Sequence, residues 1–129
     1  MILTPARSLP SIWRGAPANS ASNISAIWKA WPSRARAIRT WSRKPTVRLS
    51  CFIRAAIAKD YPQDGIVGEE HASVAGSTGY AWVIDPIDGT ANFVRGIPAW
   101  CVVIACARDG ETVVGVIHEP STGETFHGR

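Results

Sequence analysis

Two carboxylates lie three residues apart in the segment Asp85-Pro-Ile-Asp-Gly-Thr, directly after a short apolar run. Pro86 lies between them, where it fixes one backbone angle and has no N–H group to donate. Both carboxylates and the carbonyl of Ile87 can therefore face one point. Oxygen ligands of this kind suit Mg²⁺, which shares its coordination shell among carboxylates, water and substrate. The spacing indicates a cation site formed by Asp85, Ile87 and Asp88.

The two residues that follow suit a phosphate group. Gly89 lets the backbone approach a ligand closely, and Thr90 stands at the start of a stretch, residues 91–94, that is predicted to be helical. A helix N-terminus presents free N–H groups and the positive end of its dipole to a phosphate. A cation site beside a phosphate site is typical of phosphate-ester hydrolysis.

Each motif taken alone has a simpler interpretation. The residues of Asp85-Pro-Ile-Asp-Gly are all turn formers, so the segment can be an ordinary turn. Gly68-Glu69-Glu70 alone is more typical of an acidic turn that faces water. Together the motifs favour chemistry, because acids at the ends of two strands can converge on metal ions. Two metal ions about 4 Å apart can activate a water molecule and hold the leaving oxygen.

The elements that position these motifs are predicted from the apolar pattern. The stretch from Phe52 to Lys59 predicts a helix with one apolar face, formed by Phe52, Ile53, Ala56 and Ile57. Tyr61-Pro-Gln-Asp-Gly ends that helix in a turn. A short apolar strand over residues 81–84 then leads to Asp85. Ile66-Val67 leads into Gly68-Glu69-Glu70 in the same way, so each acidic motif is expected at the end of a short strand.

Three more strands are predicted downstream. The unbroken apolar run from Trp100 to Ala107 is expected to be buried on both faces. A turn at Arg108-Asp-Gly-Glu leads to a second strand, Thr112–His118, and a third strand starts within Glu124–His127. A helix followed by an antiparallel meander belongs to the α+β class.

Two longer segments carry a family resemblance. Val67-Gly-Glu-Glu, followed by Trp82-Val-Ile-Asp-Pro-Ile-Asp-Gly-Thr-Ala-Asn-Phe, resembles the inositol monophosphatase family, and Gly115-Val-Ile-His-Glu-Pro with Gly123-Glu-Thr-Phe resembles its next pair of strands. The resemblance implies part of the layered αβαβα sandwich of the inositol monophosphatase/fructose-bisphosphatase type. It also implies Mg²⁺-dependent hydrolysis of a small phosphate monoester, inositol monophosphate first and histidinol phosphate as the alternative, by a protein that is often a homodimer.

The same resemblance implies roles for individual residues. Glu69 and Asp85 bind the first Mg²⁺ with the Ile87 carbonyl, and Asp85 and Asp88 bind the second. Thr90 and Glu69 orient the attacking water, and the N–H groups of Gly89 and Thr90 hold the phosphate. Glu70 supports the metal site from outside or is a plain surface acid. The three histidines match no ligand position and are expected at the surface or in packing; they are His71, His118 and His127.

Two departures from the family pattern bear on activity. The family has another metal-ligand aspartate far downstream, in a Trp-Asp motif, and this chain reaches Arg129 without one. The family also has Val-Thr-x-x-Asp upstream, in a register that falls at Thr46, where no aspartate stands. The alternative function is therefore an inactive truncated fragment that at most binds divalent metal.

Residues 1–50 differ sharply from the rest. They contain nine Lys or Arg and no acid, a charge of +9, whereas residues 51–129 contain five Lys or Arg and all ten acids, a charge of −5. We interpret residues 1–50 as translated out of frame or disordered. Starting each codon of residues 41–50 at the third base of the preceding codon permits Val-Thr-Glu-Ala-Asp-Arg-Ala-Val-Glu, with the aspartate at the register of Thr46. Resequencing the gene tests this, and one open frame without a slip near Ser50 would refute it.

Other classes of protein fit less well. An organellar targeting segment is typically Arg- and Ser-rich, but residues 1–50 also carry four Trp and five Pro. A basic arm for nucleic acid lacks regularly spaced aromatics, so no nucleic-acid partner is expected. No apolar run approaches the roughly 20 residues of a membrane helix, so no membrane partner is expected either. Three cysteines without a CxxC pair indicate reduced thiols in the cytoplasm.

Overall fold

A computed structural model gives the structure of residues 4–5 and 45–128. The interpretation of residues 1–50 as out of frame or disordered therefore lies outside the described residues, apart from Thr4–Pro5 and residues 45–50. Among the described residues, no helix is long and apolar enough to cross a membrane.

Helix α1 spans Pro45–Asp60 and packs against the sheet. Leu49, Ile53 and Ile57 are buried, and their spacing of four residues places them on one face. The helix can start at Pro45 because a proline is tolerated in the first turn, where its missing N–H has no helical partner. It therefore begins earlier than the predicted start at Phe52 and runs through the predicted boundary between residues 50 and 51.

The strands are β1 (Thr4–Pro5), β2 (Gly65–Gly68), β3 (Tyr80–Asp88), β4 (Cys101–Arg108), β5 (Glu111–Glu119) and β6 (Glu124–Gly128), and helix α2 spans Thr90–Arg95. The six strands form one sheet in the order β1-β6-β5-β4-β3-β2. From β3 to β6 the neighbours pair antiparallel, as the predicted meander requires. Strand β2 pairs parallel with β3. The α+β class is confirmed, and the three downstream strands lie within about a residue of their predicted bounds.

Strand β3 is longer than predicted. Its pairing with β4 is regular up to Asp85, which lies opposite Val103, and then shifts before Asp88 pairs with Cys101. Such a bulge bends a strand and re-aims its side chains. The two aspartates of the motif therefore flank an irregularity inside the strand, and the strand does not end before them.

One face of the sheet carries the core. Along β4 the residues alternate, with Val102, Ile104 and Cys106 buried and Val103, Ala105 and Ala107 half-buried. The expectation of burial on both faces is wrong for the described chain, because α1 packs on one face only. The alternation is that of an antiparallel sheet with one covered side.

Trp82 lies at the centre of this core and is fully buried. Its ring centroid lies 5.0 Å from that of Tyr61, and its indole N–H donates to Asp64. The core cluster combines residues of α1 with residues of β2 to β5: Leu49, Ile53, Ile57, Ile66, Trp82, Ile84, Ile87, Val102, Ile104, Cys106, Val114 and Val116. The core thus fixes α1 against the strands that carry the acidic motifs.

Candidate active site

The acidic motifs meet at one end of the parallel pair β2–β3. The pairing runs from Gly65 opposite Ala81 to Gly68 opposite Ile84. Glu69 and Asp85 are the next residues on the two strands, so the register brings them to the same end of the sheet. Strand β2 ends at Gly68 and β3 continues to Asp88, so Glu69 follows the end of β2 while Asp85 lies within β3 where the parallel pairing stops.

Asp85 is half-buried among other carboxylates. Burial raises its pKa above the ordinary value, the hydrogen bond from the Ile87 N–H lowers it, and the charges of Glu69, Asp88 and Glu70 raise it further. The Ile87 N–H donates to Asp85 Oδ1 at 3.1 Å. Like charges at this spacing disfavour the ionised form, so a bound cation would relieve the repulsion.

The acidic residues supply ligand atoms of the type that a divalent metal binds. Three carboxylates supply hard oxygen ligands of the kind that Mg²⁺ takes, and they act on one another electrostatically. In residues 4–5 and 45–128, however, no group of three or more His, Cys, Asp or Glu is gathered closely enough to hold a metal ion. The predicted ligands Glu69, Asp85 and Asp88 therefore share one region without forming a closed coordination shell.

Ile87 and Thr90 contact each other. The Ile87 side chain is buried in the core, and its carbonyl oxygen accepts a hydrogen bond from Thr90 Oγ1 at 3.0 Å. The side chain thus anchors the segment, while the carbonyl keeps a second lone pair. Thr90 Oγ1 uses its proton in this hydrogen bond and keeps its lone pairs. It can therefore still accept a hydrogen bond from a water.

Gly89 forms the turn between β3 and α2. Its φ is 88° and its ψ is 36°, a left-handed conformation that favours glycine. A Cβ atom here would lie 3.1 Å from the Ala99 carbonyl oxygen and 3.3 Å from Trp100 Cα. The Gly89 carbonyl accepts from the N–H groups of Asn92 and Phe93, at 2.9 and 3.0 Å. The turn is therefore a tight one that only glycine fits.

Asp88 is exposed and has a neighbour that the sequence did not reveal. Cys101 Sγ donates to Asp88 Oδ2 at 3.6 Å. Burial, then the charge of Asp88, raises the pKa of the Cys101 thiol to about 11. The two residues line a cavity of about 310 Å³, which is also lined by Gly89, Ala99, Trp100, Ile117, Glu119 and Phe126. No spacing rule predicts this contact, because it depends on the pairing of β3 with β4.

The histidines lie outside the acid cluster, as predicted. His118 Nδ1 lies 2.9 Å from Thr125 Oγ1, and His127 is buried. Burial lowers the pKa of both rings. His71 follows the acid pair Glu69–Glu70 and contacts α1. None of the three belongs to a metal-ligand group within the described part of the chain.

Comparison with known proteins gives a consistent picture. A sequence model of the inositol monophosphatase family matches residues 45–129. Histidinol-phosphatase of Mycobacterium tuberculosis is 46% identical over 69 residues, which are 54% of this chain and 26% of that protein. Inositol-1-monophosphatase of Rhizobium meliloti is 40% identical over 58% of this chain and 29% of its own length. Nus factor SuhB of Pseudomonas aeruginosa is 44% identical over 57% and 28%.

Solved structures agree on the fold. The suppressor protein SuhB of Bartonella henselae superposes with a TM-score of 0.74 at 26% identity, covering 84% of this chain and 48% of that one. The IMPase of Thermotoga maritima gives 0.61 at 34% identity, covering 67% and 33%. The expected sandwich type is confirmed for the part described. This chain spans less than a third of each of these three curated relatives and under half of these two solved chains.

Proposed function

The chain belongs to the inositol monophosphatase family, and from that premise we propose that the whole protein hydrolyses small phosphate monoesters with the help of Mg²⁺. The observation that carries the proposal is the register of β2 on β3, which ends with Gly68 opposite Ile84, so that Glu69 and Asp85 are the next residues along the two chains. The raised pKa of Asp85, caused by burial and by neighbouring carboxylates, supports a site that takes up positive charge.

We assign the metal ligands by the family pattern. Glu69, Asp85 and the Ile87 carbonyl would hold one Mg²⁺, and Asp85 and Asp88 would hold another. When bound, Mg²⁺ would supply positive charge for the developing oxyanion and make a water more acidic. The influence of the Glu69 and Asp88 charges on Asp85 fits this shared role.

The remaining residues position the reactants. Thr90 and Glu69 orient the attacking water, with the Thr90 hydroxyl held near the site by its bond to the Ile87 carbonyl. The N–H groups of Gly89 and Thr90 hold the phosphate, at the turn whose positive φ lets the backbone approach closely. The first N–H groups of a helix have no carbonyl within the helix to bond, so these donors suit an anion.

Two substrates are candidates. Inositol monophosphate is the first, because it gives the family its name and because one similar structure, SaIMPase-II at 30% identity and a TM-score of 0.58, carries bound inositol monophosphate. Histidinol phosphate is the second, because the relative that is 46% identical is a histidinol-phosphatase. Parallel measurement of kcat/KM on both substrates decides between them. A homodimer remains our expectation for the whole protein.

A second candidate function is a fragment that binds divalent metal without turnover. The open arrangement of the three carboxylates among the described residues favours it. Phosphate release from the purified chain, with and without Mg²⁺, separates the two. Release that requires Mg²⁺ supports the hydrolase, and metal binding without release supports the fragment.

The matched test compares two aspartates. Asp88→Asn removes a proposed ligand, and Asp109→Asn makes the same change in the β4–β5 turn, at an exposed residue whose φ of 54° asparagine tolerates well. We expect Asp88→Asn to lose at least roughly 100-fold in Mg²⁺-dependent release, as befits a group that acts on transition-state charge, and Asp109→Asn to keep the parent rate. Equal rates in the two variants would remove Asp88 from the site.

A further inference from the structure

A second cluster of reactive side chains lies where α1 contacts the loop that follows Glu69 and Glu70. Cys51 Sγ lies 3.4 Å from His71 Nε2, and Ser50 Oγ lies 3.2 Å from His71 Nδ1. Cys51 is exposed on α1, and His71 is half-buried in the loop that follows the acid pair. Both ring nitrogens thus have a partner on the same helix, so the ring is fixed in position against the thiol.

The cluster is built into the packing of α1 on this loop. Ser50 is 1% exposed, so its hydroxyl is a rigid partner for the ring. One turn further along α1, Arg54 Nη2 donates to the Ala72 carbonyl at 2.6 Å. Residues one turn apart on a helix share a face, and here that face holds residues 71 and 72. The Cys51 sulfur is therefore exposed to solvent at a fixed position on α1.

The tautomer of His71 decides which of the three groups donate. An anionic sulfur can only accept, so in that form Nε2–H donates to the Cys51 sulfur and the Ser50 hydroxyl donates to Nδ1. Sulfur accepts a hydrogen bond weakly as a thiol and more strongly as an anion, because charged acceptors form the stronger bonds. The contact therefore places a ring nitrogen beside the sulfur, which attacks other sulfur atoms in its anionic form.

The other two thiols of the chain lack these features. Cys106 is buried at 1% exposure, and Cys101 is half-buried beside Asp88. Attack on a disulfide requires access to the sulfur, which buried Cys106 lacks and which half-buried Cys101 has less of than exposed Cys51. Cys51 is thus distinguished both by exposure and by the fixed imidazole.

We propose that Cys51 is a covalent modification site that reacts with small disulfides, with His71 and Ser50 positioning and stabilising its sulfur. The Cys51 sulfur forms a bond to one sulfur of the disulfide, the disulfide bond breaks, and the departing thiolate takes up a proton equal to the one that Cys51 has lost. No further oxidant is needed, and a thiol reverses the reaction. Cys51 and His71 both lie after Ser50, so only the Ser50 contact depends on the interpretation of residues 1–50.

The test uses oxidised glutathione on the full chain under native conditions, with adducts mapped by mass spectrometry of peptides. We expect the Cys51 adduct to form at least roughly tenfold faster than adducts on Cys101 or Cys106, because burial denies access to those thiols. The proposal is overturned if Cys101 or Cys106 reacts first while the chain is folded.

Two variants isolate the role of the ring. His71→Asn removes the Nε2–H donor, and we expect a fall in the Cys51 rate of roughly three- to tenfold, the effect of one hydrogen bond of ordinary strength. Ser50→Ala keeps the His71 ring but removes the hydroxyl that contacts its Nδ1, so we expect a smaller fall in the Cys51 rate. An unchanged Cys51 rate in both variants would contradict the positioning role. Cys106 is buried, so an adduct on it in the same samples would show that a variant has unfolded. If His71→Asn unfolds, the Cys51 rate in Ser50→Ala tests the positioning role instead.

Discussion

The indole N–H of Trp82 donates a hydrogen bond of 2.9 Å to Asp64 Oδ2 within the core. The other carboxylate oxygen, Oδ1, accepts from Thr78 Oγ1 at 2.5 Å. Asp64 directly precedes β2, Trp82 lies near the start of β3, and Thr78 lies in the loop two residues before β3. One carboxylate therefore ties together β2, which leads to Glu69, and β3, which carries Asp85.

Replacing Asp64 should weaken the fold. Asp64→Ala leaves the indole N–H of fully buried Trp82 without its acceptor, which we expect to lower the free energy of unfolding by roughly 2–4 kcal/mol. Asp64→Asn should cost less, because its amide oxygen can still accept one hydrogen bond. Urea denaturation followed by tryptophan fluorescence measures both.

The control is Asp60→Ala, at the exposed end of α1. Loss of a negative charge at a helix C-terminus should change stability by no more than about 0.5 kcal/mol. If Asp64→Ala and Asp60→Ala unfold at the same urea concentration, the Asp64 bridge does not hold the two strands together.

Two glycines with nearly the same φ, Gly89 and Gly110, separate the effect of steric crowding from that of backbone strain. Gly89 has a φ of 88° and Gly110 a φ of 84°, so alanine should cost about 1–2 kcal/mol at either position through the left-handed backbone alone. A Cβ atom at Gly89 meets Ala99 and Trp100 closely, whereas at Gly110 nothing lies within 4 Å. Gly89→Ala should therefore be at least about 1 kcal/mol more destabilising than Gly110→Ala.

Thermal unfolding of both alanine variants, at equal protein concentration, measures this difference. Phosphate release adds a second readout, because the Gly89 turn belongs to the proposed phosphate site and the Gly110 turn does not. Equal destabilisation, with equal release, would mean that the crowded turn at Gly89 has no special role.

The buried histidine of β6 predicts a pH dependence of stability. Burial lowers the pKa of His127 from its ordinary value of 6.5, so below that pH the unfolded chain takes up a proton that the folded chain does not. The stability that neutral His127 contributes is present above pH 6.5 and is lost as the pH falls through the lowered pKa. The slope for one such group is at most about 1.4 kcal/mol per pH unit.

Urea denaturation between pH 8 and pH 5 measures this slope. His118 titrates in the same direction, since burial lowers its pKa too, so the informative quantity is the difference between the parent chain and His127→Asn. The variant should show a shallower loss of stability below pH 6.5. If the free energy of unfolding depends on pH in the same way in the parent chain and in His127→Asn, His127 does not contribute to the pH dependence.

Much of the fold and site follows from local pattern. The strands β4 to β6 were predictable because apolar runs alternate with turn signals such as Arg108-Asp-Gly-Glu. The convergence of Glu69 with Asp85 was predictable because both follow short apolar strands. The start of α1 at Pro45 was not predictable. Before Ser50 the helix adds only Leu49 to its buried apolar face, and the composition of residues 1–50 is not typical of a folded segment.

Other features depend on contacts that no spacing encodes. Cys101 meets Asp88 because β4 pairs antiparallel with β3 across a bulge. The Cys51–His71 contact requires α1 to pack beside the loop after Glu70. The apolar run in β4 predicted two buried faces, but the degree of burial depends on what covers each face and not on the strand's own residues.

The central claim is that Glu69 and Asp85, the residues that follow the last parallel pair of β2 and β3, bind Mg²⁺. Isothermal titration calorimetry with Mg²⁺ tests it directly, on the parent chain, on Glu69→Gln and on Glu111→Gln, a matched change at an exposed glutamate of β5. The account predicts that Glu69→Gln weakens Mg²⁺ binding by at least roughly tenfold and that Glu111→Gln leaves it unchanged. The same Kd for all three proteins would contradict it.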